Sequence, residues 1–184
     1  ELKGFDAIDV QNTIPMRRAF VIENNEIKNC VTGIHLRQCP SVDAFNNYIL
    51  DEAPSWSHHA HRGIWMENCQ DATIRYNNIS WSAGIANADL IHGQQGIATS
   101  NSAGCDIRGN YVHNISAGLN FLGDCRNSNM HCNIMQECFN GVYLQDFSTV
   151  VTEQGTADVS WNNWWADNRG AFKVDGDGVL SAFN

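Results

Sequence analysis

Residues 63–80 read GIWMENCQDATIRYNNIS, and this stretch contains both halves of a unit that recurs along the chain. It begins with Gly63-Ile64-Trp65-Met66, a small residue followed by alternating apolar positions, and ends with Ile74-x-x-Asn77-x-Ile79. Such alternation is typical of a short strand with one buried face. The Asn of the second half falls where a tight turn is expected. Residues 63–80 therefore predict strands joined by turns.

The second half-unit, apolar-x-x-Asn-x-apolar, occurs six times, with its Asn at positions 25, 47, 77, 110, 133 and 162. Clear copies of the first half-unit begin at glycines 33, 63, 96, 118 and 141, and weaker copies begin at Ala7 and Gly170. The distance from Asn to the next Gly is eight residues in four units, and from Gly to the next Asn it is fourteen in three. The resulting coil of 22 or 23 residues predicts a solenoid of three short strands per coil, stacked about 4.8 Å apart.

This repeat resembles the right-handed parallel β-helix superfamily, the pectin-lyase-like fold with parallel β-helix repeats, over roughly residues 5–178. The resemblance implies an all-β solenoid of about six to seven coils with three short parallel sheets. It also implies an Asn ladder in the turn between the second and third strands of each coil. The Gly-Ile-x-Leu segments would be the first strand, whose outer face commonly forms the substrate cleft. The superfamily includes lyases, glycosidases, epimerases and adhesins, so the fold does not select an activity.

Composition narrows the class of protein. The 184 residues carry a net charge of -9 with no Lys or Arg cluster, so nucleic acid is not an expected partner. No window of about 18 apolar residues exists, so no membrane span is expected. The whole chain, residues 1–184, is predicted to be one β-helix domain. Because it opens and closes inside the repeat, we expect it to be continuous with further domains of a longer secreted, cell-surface or periplasmic protein.

Two coils are longer than the others. Asn47 to Gly63 spans 16 residues and Asn77 to Gly96 spans 19, which predicts neighbouring elongated loops at about residues 50–62 and 80–95. Loops that depart from an economical repeat are where function is expected. The polar and aromatic residues of these loops include Asp51, Trp56, His58, His61, Trp81 and His92.

The outer face of the first strand is predicted to present two columns of side chains. The first column is Asp9, His35, Trp65, Ala98, Asn120, Tyr143 and Phe172, and the second is Gln11, Arg37, Glu67, Ser100, Leu122 and Gln145. Aromatic rings beside polar groups suit sugar rings. We expect Trp65 and Tyr143 to bracket a groove over Ala98 and Ser100. Asn120, Trp56 and Trp81 are further candidates for contacts with a glycan.

Candidate catalytic residues are His35, Arg37 and Glu67 on this face, with Asp51 and His61 reaching it from the first loop. A lyase acting on uronic acids needs a base and a cation, which a His and Arg37 can supply. A glycosidase needs two carboxylates about 5–10 Å apart. The available pairs join Glu67 to Asp51, Glu52 or Asp89. The residue pattern leaves both chemistries open.

No cofactor is required by the sequence, although a transition metal or calcium can be accommodated. His58, His61 and His92 are the candidate ligands of Zn or Cu. Calcium has alternative carboxylate ligands at positions 51, 52 and 89, or at 175 and 177. Cys39 and Cys69 occupy the same repeat position, so buried stacked thiols are expected and a disulfide between them is the alternative.

The expected function is that of an extracellular β-helix that binds or processes a polysaccharide, in the manner of a lyase, hydrolase or epimerase. A noncatalytic adhesin or spacer module of a larger secreted protein is the first alternative, because the coils are few for an enzyme of this fold. A periplasmic metal-handling β-helix is the second alternative, and it depends on the His residues of the loops.

Overall fold

The structure is a computed structural model whose described strands all pair in parallel. The described residues are 6–12, 20–51, 61–82, 94–145, 148–150, 164–166 and 170–174. Within them no helix occurs, and so none is long and apolar enough to cross a membrane.

Each coil contributes one strand to each of three sheets, and the strands of a sheet follow one another in chain order. The first sheet consists of β1 (Asp6–Gln11), β4 (Thr32–Arg37), β7 (Arg62–Glu67), β10 (Gln95–Ser100), β13 (Ala117–Leu122), β16 (Asn140–Leu144) and β18 (Gly170–Val174). The second consists of β2 (Phe20–Glu23), β5 (Val42–Phe45), β8 (Thr73–Arg75), β11 (Asp106–Arg108) and β14 (Asn129–His131). The third consists of β3 (Glu26–Lys28), β6 (Tyr48–Asp51), β9 (Asn78–Trp81), β12 (Tyr111–His113), β15 (Ile134–Gln136) and β17 (Trp164–Ala166).

This topology confirms the predicted all-β parallel β-helix with three sheets. The first and third sheets have seven and six strands, whereas the second has five. The described residues therefore contain five coils with a strand in every sheet, slightly fewer than the six to seven that the repeats predict. The difference arises at the C-terminal end of the solenoid, where the coils of β16 and β18 lack a described strand of the second sheet.

The glycine at the second position of β4, β7, β10 and β13 is required by close contact between coils. A Cβ atom on Gly63 would lie 2.6 Å from the carbonyl oxygen of Gly96 and would also meet the side chain of Ile79. The corresponding Cβ atoms at Gly33, Gly96 and Gly118 would lie 2.6 or 2.7 Å from the next glycine's carbonyl oxygen. No side chain fits in such a space, so the column is restricted to glycine by packing rather than by a left-handed backbone.

The asparagine of the second half-unit forms a buried ladder along the solenoid. Each ladder Asn donates from its backbone N–H and its Nδ2 to the Oδ1 of the next, at 3.0 and 2.9 Å from Asn47 to Asn77. Asn25, Asn110 and Asn133 continue the same pattern. The ladder lies between the second and third strands of each coil, as the family resemblance implies. The sixth match, Asn162, lies outside the described residues.

The left-handed residue of each of these turns is the one before the ladder Asn. Positive φ occurs at Asn24, Asn46, Tyr76, Gly109 and Cys132, whereas the ladder Asn is not among the residues with positive φ. The recurring Asn is thus explained by its side-chain hydrogen bonds and not by tolerance of left-handed geometry.

We predict that Gly63→Ala lowers the free energy of unfolding by about 2–3 kcal/mol, because the new methyl group meets backbone in the adjacent coil. Denaturant titration measures this loss. Ala7→Ser is the matched control, since it also adds one heavy atom but at an exposed position of β1. Equal stability of the two variants would contradict the packing explanation of the glycine column.

We also predict that Asn77→Ala lowers the free energy of unfolding by about 3 kcal/mol or more. The substitution deletes side-chain bonds to Asn47 and Asn110 and to the carbonyl oxygens of Ala44 and Arg75. Asn46→Ala, at an exposed position with φ of 53°, should cost only about 1 kcal/mol because it strains the backbone alone. Denaturant titration of both variants tests the ranking, and a reversed order would refute the ladder's role.

Candidate functional site

The outer face of the first sheet presents two rows of stacked side chains, almost as the alternation predicts. We call Asp9, His35, Trp65, Ala98, Asn120 and Tyr143 the middle row and Gln11, Arg37, Glu67, Ser100 and Leu122 the outer row. Gln145 follows β16 and continues the outer row. In the next strand the register pairs Tyr143 with Lys173 and not with Phe172 as predicted. The prediction aligned Gly170 with Gly141, whereas Gly170 pairs with Asn140.

His35 is held between two carboxylates. Its Nδ1 lies 2.8 Å from Asp6 Oδ2 and its Nε2 lies 2.8 Å from Glu67 Oε2. The ring also stacks on Trp65, with centroids 4.1 Å apart and planes at 9°. These contacts leave His35 only 4% exposed, although its side chain lies on the outer face as predicted. Each ring nitrogen of His35 therefore faces a carboxylate oxygen of a different strand.

Two arginines complete this cluster. Arg37 donates from a terminal nitrogen to Asp9 Oδ2 at 2.6 Å, and this bond raises the pKa of Arg37. Burial alone would raise the pKa of Asp9, but the hydrogen bonds from Arg37 and Gln11 lower it. The guanidinium of Arg62 lies over the Trp65 ring, 3.9 Å from the centroid. The His35 ring and the Arg62 guanidinium thus both pack against the Trp65 ring, which leaves less of that ring available to stack on a sugar.

The two rows differ in accessibility. In the middle row, His35, Ala98 and Asn120 are each less than 5% exposed, and Asn120 Oδ1 accepts a hydrogen bond from Gln145. Ala98, which was expected to form the floor of a groove, is therefore covered and offers a ligand almost no surface. In the outer row, Gln11 and Leu122 are exposed, and the others are partly exposed. A ligand on this face must reach the protein through the outer row.

A second group of polar side chains lines a pocket at the corner between the third and first sheets. His61 Nδ1 lies 2.6 Å from Asp51 Oδ2, and both residues are buried. The Trp81 ring meets His61 edge-on, with centroids 4.9 Å apart. Arg62, whose Nε donates to Gln95 Oε1 at 3.0 Å, lines the same pocket. We call this the His61 pocket.

The His61 pocket is bordered by the ends of two segments that lie outside the described residues. Asp51 and His61 flank residues 52–60, and Ser82 and Gln94 flank residues 83–93. These segments lie within the two stretches predicted to form elongated loops. The pocket has a volume of about 20 Å³, which is room for one water-sized group.

Comparison with known proteins agrees with the observed architecture. Residues 3–85 match the family described as right handed beta helix region. The described residues form a parallel β-helix, and the match to this family covers somewhat less than half of the chain. A search of curated proteins finds no match to its sequence.

The β-helix is also similar to a solved structure from Parabacteroides merdae, a protein provisionally named a glycosyl hydrolase. The two chains are 10% identical with a TM-score of 0.41, and the alignment covers 90% of this chain and 85% of the other. A similarity of this degree carries no inference about activity.

The β-helix separates the predicted catalytic residues into two groups. His35, Arg37 and Glu67 meet on the outer face, whereas Asp51 and His61 lie in the pocket. Glu67 and Arg62 are at opposite ends of β7, roughly 16 Å apart at the strand rise of about 3.3 Å per residue. Asp51, which contacts His61, therefore lies near the start of β7, and Glu67 lies at its end. Trp56, His58 and His92, with Glu52, Asp89, Asp175 and Asp177, lie outside the described residues.

The predicted glycan contacts are also distributed over different environments. Trp65 and Tyr143 are partly buried on the outer face, Asn120 is buried there, and Trp81 is buried in the pocket. The sequence reading missed Asp6, which pairs with Thr32 and lies in the same column as Arg62. Asp6 lies three residues before Asp9 of the middle row. Extending the aligned first strands by three residues toward the N-terminus would have found it.

Among the described residues, only Asp6, Asp9 and His35 bring three ligand atoms within 4.8 Å of one another. Those atoms already have partners, because His35 binds Asp6 and Arg37 binds Asp9. A guanidinium beside a ligand carboxylate opposes a metal cation. Of the predicted metal ligands, His61 is bonded through Nδ1 to Asp51.

The cysteines of the β-helix do not form a reactive or disulfide-bonded group. All seven thiols are free, including Cys39 and Cys69, so the alternative of a bond between those two is not realised. Burial raises the pKa of Cys69 to about 11 and that of Cys105 and Cys138 to about 12. Because the thiolate is the nucleophile, these residues are inert at neutral pH.

We predict that a thiol reagent at pH 8 modifies the five buried cysteines of the native protein slowly, because their thiols are covered by the packed core. Cys30 and Cys132, which are partly buried, should react first. In denaturant without reductant, all seven should titrate. A denatured count of five or fewer would reveal a disulfide and refute the free-thiol arrangement.

Proposed function

We propose that this β-helix is a carbohydrate-binding protein that holds a polysaccharide along the outer row of the first sheet. The observation that carries the proposal is the row itself, in which five of the six positions, all but Leu122, hold accessible or partly accessible polar side chains stacked in register. Arg37 donates to Asp9, and Glu67 contacts His35, so middle-row partners hold these two side chains before a ligand arrives. A preorganised polar row suits an extended polymer rich in hydroxyl groups.

Arg37 is the side chain expected to anchor the ligand. Its side chain is 39% exposed, and the bond to Asp9 that raises its pKa keeps it cationic. Arg37 is therefore a donor for ligand hydroxyl or carboxylate oxygens and not a general base. The chain's net charge of -9 opposes a strongly acidic polymer at long range, so a neutral or sparsely charged polysaccharide is the preferred class.

Binding is better supported than catalysis by the geometry of this face. Asp6 and Glu67 are the two carboxylates nearest each other across His35, and the imidazole fills the space between them. A glycosidase pair must instead leave room for the glycosidic bond. If the protein also processes its ligand as a lyase, hydrolase or epimerase, Glu67 is the accessible proton-transfer group of the outer row. A secreted or cell-surface location would bring such a protein to its polymer.

We predict that Arg37→Ala weakens binding of the recognised polysaccharide by about tenfold or more, because a charged donor to the ligand is lost. Affinity is measured by titration calorimetry after a screen of homogalacturonan, alginate, xylan and mannan. Ultraviolet absorbance in the same screen detects unsaturated lyase products.

Arg108→Ala is the matched control. Arg108 is 38% exposed and pairs with Asp106, as Arg37 pairs with Asp9, but it lies on the second sheet. Its loss should leave affinity unchanged. Absence of binding to every polysaccharide, or equal effects of the two substitutions, would refute the proposed surface.

A further inference from the structure

We propose that a row of exposed carboxamides beside the outer row forms the second half of the carbohydrate site and recognises pairs of neighbouring hydroxyl groups on a neutral polysaccharide. We call Asn12, Gln38, Asn68 and Asn101 the amide row. The proposal depends on the last three, because residues 13–19 after Asn12 are outside the described part of the chain. It rests on the proposed carbohydrate function, since it adds specificity-determining residues to the same surface.

The amide row exists because the chain turns sharply at the end of each first strand. Each member directly follows an outer-row residue, where simple strand alternation would send the side chain inward. All four instead have positive φ, between 48° and 53°, and are exposed. Their backbone N–H groups donate to the next coil, as from Asn68 to the carbonyl oxygen of Ser100 at 2.8 Å, which keeps the row in register. The turns beside the row, at residues 38–41, 68–72 and 101–105, are all described.

The fold makes little use of these side chains. Gln38 and Asn68 form no side-chain hydrogen bond to another residue of the described ranges, and Asn101 accepts one, from the N–H of Asp124 at 3.1 Å. The interior ladder differs, as in Asn77, whose Nδ2 has three oxygen partners. Left-handed turns favour asparagine but not glutamine. Turn geometry therefore does not explain the carboxamide of Gln38.

A primary amide is suited to a pair of neighbouring hydroxyl groups. Its carbonyl oxygen accepts from one hydroxyl, and its NH2 group donates to the other. Stacking of a sugar on an aromatic ring is restricted on this face, since Trp65 is already packed against His35 and Arg62. A sugar unit is therefore held through its hydroxyl edge rather than through the face of its ring. The uncharged amides suit a neutral polymer, as the net charge of the chain also does.

The polar strip formed by the two rows is interrupted at the coil of β13. There the outer-row residue is Leu122, which is 40% exposed, and the next residue is Gly123, which has φ of 67° but no side chain. A Cβ atom on Gly123 would collide with Oδ1 of Asn101, so the last amide extends over this glycine. Because coils are about 4.8 Å apart, which is similar to the length of one sugar unit in an extended polymer, successive amides face successive units.

The test is Asn68→Gly, compared with the wild-type protein. Glycine deletes the carboxamide and accepts the left-handed backbone, as Gly123 does at the equivalent position. Affinity is measured by calorimetry for a hexasaccharide of the neutral polymer that the screen selects, xylan or mannan. We expect a loss of about fivefold to tenfold, as for one or two neutral hydrogen bonds, with no fall in the unfolding temperature. Gln38→Gly, in the adjacent coil, should weaken binding by a similar factor.

Asn46→Gly is the matched control. Asn46 is also an exposed asparagine, with φ of 53°, but it lies in the turn between the second and third sheets. Its replacement should leave affinity unchanged. Side-chain NH2 resonances give an independent readout. The signals of Asn68 and Gln38, assigned by their absence from the variants, should shift when the hexasaccharide is added, and that of Asn46 should not.

Wild-type affinity in both Asn68→Gly and Gln38→Gly would overturn the amide row, while weaker binding by Arg37→Ala would leave the proposed function standing. Equal losses in Asn68→Gly and Asn46→Gly would also overturn it, as would a fall in the unfolding temperature with unchanged affinity. Binding restricted to homogalacturonan or alginate would contradict the neutral ligand class. If the wild type binds none of the saccharides, the proposed function fails and the amide row with it.

Discussion

Neighbouring coils of this β-helix are held in register by side-chain amides that hydrogen-bond from each coil to the next. The Oδ1 of Asn77 accepts from both nitrogens of Asn47, and Asn110 does the same for Asn77. A shift of one residue would break every bond in this ladder and place interior side chains on the outside. The glycine column adds a steric limit at the beginning of the first strand. Together they make each position of one coil equivalent to that of the next.

This equivalence explains why the fold was readable from sequence. A residue type that is required once is required in every coil, so Asn77 and Gly63 each appear as members of a series. The middle and outer rows followed from the same alternation and are confirmed through Tyr143. The prediction was wrong at Phe172, because the last copy of the half-unit is incomplete and its glycine does not mark the same register. The register was predicted from the repetition of the half-units, and that prediction is less accurate at the end of the solenoid, where the last copy is incomplete.

The site was less predictable, because its interactions cross between rows and coils without repeating. Alternation places His35 outward, but only the three-dimensional structure shows that Asp6 and Glu67 bury it. The separation of Asp51 from Glu67 depends on which end of β7 each one approaches, and spacing along the chain does not specify this. Trp81 was expected to face a ligand as an exposed ring. It is buried because β9 turns it against His61 at the corner of the coil.

Ion pairs alone do not distinguish the first sheet as functional. Parallel strands in register place equivalent residues side by side, so like charges in one column repel and opposite charges are favoured. The second sheet meets the same requirement, since Arg75 pairs with Asp43 and His131 with Asp106. What distinguishes the first sheet is the adjacent pocket. Backbone hydrogen bonds between coils continue to the edge of the pocket, where Ser82 N–H donates to the carbonyl oxygen of Asp51 and Gln95 N–H donates to that of His61. Inter-coil hydrogen bonds therefore fix the residues that line the pocket in place.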